Sequence, residues 1–471
     1  MTTLTNIVAP SNILTASNTA TITNKTFNGA NNTLTVRLAN DISGALPVAN
    51  GGTGQTSYTE GQLLVGNTTG NTLNKNALTA GTDITITNGN GSITIAYDPP
   101  IVYNNSAWAW GYSACGRLGD NTTANKSSPV SVVGGFTNWS QVSSGRNHSL
   151  GVGTNGIAWA WGYANANYGV LGDNTKVDKS SPVSVVGGFT DWSQVAAGNN
   201  HSLGLRTNGT AWGWGAGYSK AIGDNAAGNK SSPVSVVGGF TDWCQISAGE
   251  GHSTAVRTNG TAWAWGYNTC GRLGDDTNVN KSSPVSVVGG FTDWCQVSGG
   301  YRHSAGVRQN GTAWAWGLGT CGRLGDNTIV TKSSPVSVVG GFTDWCQISA
   351  SHEHSVAVRQ NGTAWSWGRN TCGRLGDNTT ADKSSPVSVV GGFTDWCQVS
   401  AGFRGCFSLG VRTNGTAWSW GRGEFGQLGN NSSANYSNMF SSPVSVVGGF
   451  TDWYEVSGGY RHSLAIRSTA T

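Results

Sequence analysis

The chain is predicted to be all-β: a seven-bladed β-propeller behind a β-rich, extended N-terminal stalk. Three observations predict it. The string A-W-x-W-G recurs seven times, with its first tryptophan at Trp108, Trp159, Trp212, Trp263, Trp314, Trp365 and Trp418, at spacings of 51 or 53 residues. Each copy also carries S-S-P-V-S-V-V-G-G-F-T, then Asp or Asn, then Trp, so the two motifs account for all 21 tryptophans. The copies parse into short runs rich in β-branched and aromatic residues, four to a unit, as a propeller blade requires.

In the fourth and fifth copies the runs read C-Q-V-S-G, H-S-A-G-V-R, T-A-W-A-W-G and P-V-S-V-V-G. Asn-Gly stands between the second and third runs, as at Asn259-Gly260 and Asn310-Gly311. It is read as a two-residue type I′ hairpin, in which both turn residues take positive φ. The first copy enters on its third strand, near Ala107-Trp108, and the last stops after its second, near Arg467. Pairing those two halves closes the ring and removes two exposed edges. The domains expected are residues 1–100, a stalk for attachment and oligomerisation, and residues 101–471, a propeller closed by its N- and C-terminal strands.

Composition excludes several classes. Charged residues are 11% of the chain and the formal charge is +4, too slight for an electrostatic nucleic-acid binder. No apolar run approaches the roughly 18 residues of a membrane helix, so neither nucleic acid nor membrane insertion is expected. Met1-Thr2-Thr3-Leu4-Thr5 lacks the basic region and apolar core of a secretory signal. Residues 1–100 have no Trp or Cys and contain 36 Thr plus Asn. So little apolar bulk builds a core poorly unless chains associate.

The strings W-G-Y-N-T-C-G-R-L-G-D (265–275), W-G-R-N-T-C-G-R-L-G-D (367–377) and W-G-R-G-E-F-G-Q-L-G-N (420–430), each after a G-x-x-H-S-like segment, resemble the regulator of chromosome condensation propellers. That resemblance implies a seven-bladed ring over residues 101–471. L-P-V-A-N-G-G-T-G (46–54) and G-T-D-I-T-I-T-N-G-N-G-S-I-T-I (81–95) are similar to segments of bacteriophage tail fibres, and this implies a homotrimeric stalk.

Most chemistry-bearing residues are locked to the repeat. Six of seven histidines, His148, His201, His252, His303, His354 and His462, share one position. They are read as hydrogen-bonded structural groups, because equivalent positions round a ring stand too far apart to share a metal. Nine cysteines show no C-x-x-C element. They are read as reduced, with inter-blade (Cys244 with Cys270) or intra-unit (Cys270 with Cys295) disulfides as the alternatives. The recurring Lys, Asp and Arg suit local ion pairs and turn caps. No nucleophile with a base and no carboxylate pair stands out, so no catalytic residue, cofactor or metal is expected, and the chain is not expected to be an enzyme.

Binding is expected where the copies differ. Antiparallel strands reverse at each turn, so the first-to-second and third-to-fourth connections share one face. That face carries the variation: the short connections, such as Gly300-Tyr301-Arg302, and the long ones at 163–171, 216–222 and 422–440. Its candidate binding residues are Arg146, Tyr301, Arg302, Glu353, Phe403, Arg404, Tyr436, Phe440, Tyr460 and Arg461, aromatic and charged groups of the kind that carry recognition surfaces. The function expected with the stalk is a bacteriophage tail-fibre or receptor-binding protein. Its partners would be a host cell-surface receptor (glycan or protein) and other virion tail proteins, and its place the virion, after assembly in host cytoplasm. The alternatives are an intracellular propeller scaffold or small-GTPase exchange factor, as the propeller resemblance implies, and a virion head fibre or decoration protein.

Overall fold

The computed structural model describes residues 2–3, 20–21, 33–37, 62–67, 72–80, 84–89, 92–97, 103–432 and 438–470. The chain forms two units, Met1–Val102 and Tyr103–Thr471. In the first, Ser92–Tyr97 is the centre of a three-stranded antiparallel sheet, with Thr33–Arg37 on one side and Ile84–Gly89 on the other. Gln62–Asn67 and Thr72–Ala77 form a separate hairpin, and Thr2–Thr3 pairs in parallel with Ala20–Thr21.

The second unit consists of seven four-stranded sheets. The third blade shows the pattern, with strands Trp243–Ala248, His252–Arg257, Ala262–Gly266 and Lys281–Ser286 in antiparallel order. Its Asn-Gly turn differs from the type I′ expected. Only Gly260 takes a positive φ, 74°, while Gly260 N–H donates to Arg257 C=O at 2.8 Å and Arg257 N–H to Thr261 C=O at 3.0 Å. The loop is therefore three residues, Thr258-Asn259-Gly260, ending on a left-handed glycine. Asn259 contributes its side chain instead, accepting from Thr261 N–H and Oγ1. A Cβ on Gly260 would also collide with the Thr292 carbonyl of the link to the next blade.

The seventh blade is made from both ends of the unit: Trp453–Gly458, His462–Ala470, Tyr103–Gly111 and Lys126–Ser131. His462–Ala470 and Tyr103–Gly111 pair over nine residues, from His462 opposite Gly111 to Ala470 opposite Tyr103. The corresponding strands of the third blade pair over five.

The core lies between blades. Leu150, Val152, Ala158 and Ala160 of the first blade pack on Trp192, Val195 and Trp214 of the second. The second tryptophan of each A-W-x-W-G is wholly buried, and burying such a ring contributes roughly 4–6 kcal/mol before ordering costs. At five of the seven positions its indole N–H also reaches back one blade, as Trp265 to Ala221 C=O at 2.8 Å and Trp316 to Arg272 C=O at 3.0 Å.

The histidines occupy the same interfaces. His252 Nε2 lies 2.9 Å from Ser304 Oγ in the next blade, and Ser304 Oγ in turn donates to Arg272 C=O at 2.8 Å. Equivalent pairs join His148 to Ser202 and, across the ring closure, His462 to Ser149. All nine cysteines are free thiols, so neither disulfide alternative is formed. Of the repeated charges, Lys281 pairs with Asp275 at 3.4 Å and Arg257 with Asp242 at 2.8 Å.

Candidate functional site

Two structures on the ring can hold a partner: the central channel and the face where the blade-specific connections emerge. The channel is lined by the first strands. Their glutamines lock neighbouring blades: all six accept from a backbone N–H of the next blade, and in three of them the same side-chain amide also donates to that residue's carbonyl. Val297 N–H donates to Gln245 Oε1 at 3.0 Å while Gln245 Nε2 donates to Val297 C=O at 2.9 Å. Gln141 and Gln398 do the same to Val195 and Val456. At the seventh position the residue is Glu455. Its carboxyl accepts from Val142 N–H at 3.3–3.4 Å, and an ionised carboxylate has no proton to give the neighbouring carbonyl. Burial pushes its pKa up to about 8, and the Val142 hydrogen bond only partly offsets that.

On the loop face, the short connections of the fifth, sixth and seventh blades and the long ones of the fifth and sixth enclose an open cavity of about 750 Å³. Five arginines line it (Arg369, Arg374, Arg404, Arg422 and Arg461) against two glutamates, Glu353 and Glu424. Glu353 holds one wall, with Oε1 2.9 Å from Arg369 Nη1 and Oε2 3.5 Å from Arg374 Nη1. Burial raises its pKa, but hydrogen bonds from His352 and Arg369 outweigh burial and hold the carboxyl well below its usual range. Arg461 stacks over Phe425 at 4.3 Å and Tyr460 at 4.6 Å, so its charge stands on an aromatic base.

Of the residues expected from sequence, Glu353, Arg404, Tyr460 and Arg461 come together in this cavity. Tyr301 lies beside them, its ring 4.1 Å from that of His352 and under the guanidinium of Arg404 at 4.9 Å. Arg302 lines a second cavity with Glu250 and Tyr267, and Arg146 a third with Tyr112 and Tyr168. Two residues are placed otherwise. Phe403 is buried at the channel wall. Phe440 belongs to the strand Met439–Ser445, opposite Gly421, and packs on the core around Trp110 and Leu428. It is not a loop residue, because the fourth strand of this blade starts one residue before it. Tyr436 lies outside the described residues. Sequence reasoning missed Arg369, Arg374 and Cys372, which look like ordinary members of the repeat. Among the described residues, no group of three or more His, Cys, Asp or Glu gathers as a metal site.

Residues 52–408 match the RCC1-like domain, and residues 414–466 the regulator of chromosome condensation (RCC1) repeat. The ultraviolet-B receptor UVR8 of Arabidopsis thaliana is 28% identical over 68% of this chain and 74% of that protein. The human E3 ubiquitin-protein ligase HERC2 is 30% identical over 40% of this chain, which spans only 4% of HERC2. Among solved structures, Prp20p of Saccharomyces cerevisiae superposes with a TM-score of 0.69 at 20% identity, covering 79% of this chain and 92% of that one. Human WBSCR16 gives 0.68 at 17% identity, over 77% and 98%.

These relatives are cellular proteins of plants, animals and yeast, and they overturn the bacteriophage tail-fibre expectation. The host receptor, the virion tail partners and the virion location are corrected with it. The sequence reading went astray because Gly/Thr-rich strings such as 46–54 carry little information, whereas the propeller motifs recur in order. The expectation that the chain is no enzyme is corrected as well, since relatives include E3 ligases, although the match covers only a small share of those proteins. With three quarters of its length matched as one domain, this chain belongs to the RCC1-like domain family.

Proposed function

We propose that the chain is an intracellular propeller scaffold that holds an acidic protein partner against its loop face. The observation that carries this reading is the cavity of the fifth to seventh blades, where five arginines meet two glutamates and Tyr301, Tyr460 and Phe425 are stacked under the guanidinium groups. Arginine on an aromatic base, partly desolvated and in excess of local carboxylates, suits carboxylates presented by another protein. The cellular relatives and nine free thiols support an intracellular setting.

The test is partner capture with the intact chain and two variants. Arg404→Ala with Arg461→Ala removes charge from the cavity, and Thr258→Ala with Thr312→Ala alters the opposite face. Loss of binding in the first alone supports the reading; equal loss in both, or in neither, overturns it. Guanine-nucleotide release from small GTPases added to the same preparations tests the exchange-factor alternative, which rests on the likeness to Prp20p, a protein that binds Gsp1p and histones.

For residues 1–100 the finer proposal is self-association into a three-chain stalk, supported by Thr- and Asn-rich strands with little apolar bulk. A solution mass of one 48.7 kDa chain would exclude it.

A further inference from the structure

Between the fifth and sixth blades the repeat breaks its own rule. Where C-G-R-L-G precedes a short connection, backbone carbonyls occupy the arginine. Arg272 donates from Nη1 to Tyr301 C=O at 3.0 Å and from Nε to Thr269 C=O at 3.3 Å. Arg323 donates likewise to His352 C=O at 2.8 Å and Thr320 C=O at 2.9 Å. Arg374 is as deeply buried, its side chain 2% exposed, but its Nε has no hydrogen-bond partner. The cause lies in the next blade. Three residues separate Ala350 from His354, but five separate Ala401 from Phe407, and the longer connection puts Cys406 against the guanidinium.

Arg374 Nη2 is 3.0 Å from Cys406 Sγ and 3.7 Å from Cys372 Sγ. The backbone at Cys372 departs as well. Cys115, Cys270 and Cys321 sit at φ of 64°, 77° and 62°, whereas Cys372 is outside the positive region, and it is the one cysteine that is buried. Both sulfurs line the arginine cavity, which opens to solvent, and so does Arg422, whose Nε also lacks a partner.

We propose that Cys372 and Cys406 form a dithiol site oxidised by hydroperoxides, with Arg374 as its positioning residue. The Cys372 thiolate attacks the peroxide O–O bond. An S–O bond forms, the O–O bond breaks, and Cys372 becomes a sulfenic acid as alkoxide or hydroxide leaves. The leaving oxyanion takes the Cys406 proton. The Cys406 thiolate then attacks the Cys372 sulfur and expels hydroxide, which combines with the proton that Cys372 released to solvent on ionising and leaves as water. Two thiols are oxidised to one disulfide and the peroxide is reduced by the same two electrons. The hydrogen bond from Cys406 and the charges of Arg374 and Arg422 lower the Cys372 pKa, and that hydrogen bond raises the Cys406 pKa. Arg374, 3.0 Å from the Cys406 sulfur and 3.7 Å from that of Cys372, stabilises one thiolate in the pair, and the Cys406→Ser variant below tests that the attacking one is Cys372.

This chemistry needs no bound partner, so its test is separate from that of the scaffold reading. The intact chain is treated with limiting hydrogen peroxide and its peptides are mapped without reduction. A Cys372–Cys406 link is expected while Cys115, Cys270 and Cys321 stay reduced. Cys406→Ser should stop at a Cys372 sulfenic acid, captured by a 1,3-dicarbonyl probe. Arg374→Gln should slow oxidation about tenfold, with tryptophan fluorescence confirming that the ring is folded. If that variant unfolds, Arg422→Gln is to give a smaller slowing. Oxidation of Cys372 no faster than that of Cys321, or linkage of either residue to another cysteine, would overturn the proposal.

Discussion

Arg404 Nη1 lies 3.6 Å from Glu250 Oε1, joining the sixth blade to the third across the mouth of the channel. The side chains are 24% and 19% exposed, and Glu250 is shared with Arg272 at 3.7 Å. A pair that keeps about a fifth of its side-chain surface in water contributes about 0.5–1 kcal/mol. A double-mutant cycle of Arg404→Ala and Glu250→Gln, followed by denaturant unfolding, should give a coupling in that range. Arg404→Ala should cost more than Glu250→Gln, because it also removes the stacking on Tyr301. A coupling of zero would mean that the two groups do not pair in solution.

Glu455 is the flaw in an otherwise uniform ring of glutamines. Its folded pKa of about 8 stands above the unfolded value of 4.5, so the folded chain binds the extra proton. Its contribution is therefore full below pH 4.5 and is lost as pH rises to about 8. Glu455→Gln should restore both hydrogen bonds to Val142 and stabilise the chain by about 1–2 kcal/mol at pH 8, with no gain at pH 4.5. A gain of equal size at both pH values would remove ionisation from the explanation.

His303→Phe has a precedent within the chain, since Phe407 occupies the equivalent place in the sixth blade and is fully buried. The substitution loses the bond to Ser355 Oγ, which keeps its own bond to Arg323 C=O. A cost of about 1–2 kcal/mol is expected, against roughly 3 kcal/mol or more for His303→Ala, which adds a cavity. Thermal unfolding of the two variants decides the order.

The blades were legible because each needs the same few things: paired tryptophans to bury, a turn glycine and a histidine facing the next blade's serine. All of these recur in order along the chain. What could not be read is relational. Asn-Gly fits both a type I′ turn and a three-residue loop, and only the backbone of Asn259 separates them. Glu455 looks like a harmless exchange for glutamine until Gln245 is seen bridging both groups of Val297. Arg374 reads as one more C-G-R-L-G arginine, because the two inserted residues that strip its carbonyl partners lie about thirty positions on, in the next blade. Phe440 read as a loop residue because the preceding connection is long, although the strand begins at Met439.

The six interfacial histidines should make the fold acid-labile. Burial lowers the pKa of His148 to about 3 and of His201 to about 4, and that of the other four well below 6.5. A base held neutral in the folded state contributes stability that is full above pH 6.5 and is lost as pH falls, because the unfolded chain takes up the protons. Each group costs about 1.4 kcal/mol per pH unit once its unfolded form is protonated. Glu455 acts in the opposite sense, but it is one group against six. Below pH 6.5 the histidines dominate, whereas between pH 6.5 and 8 the lowered pKa of Cys372 adds stability as pH rises and offsets the loss at Glu455, so the curve should level off there. Denaturant midpoints measured from pH 4 to pH 8 should fall steeply on the acid side and change little between pH 6.5 and 8. His303→Phe should flatten the acid limb by one proton, and an acid limb unchanged in that variant would show that this imidazole is already charged in the folded ring.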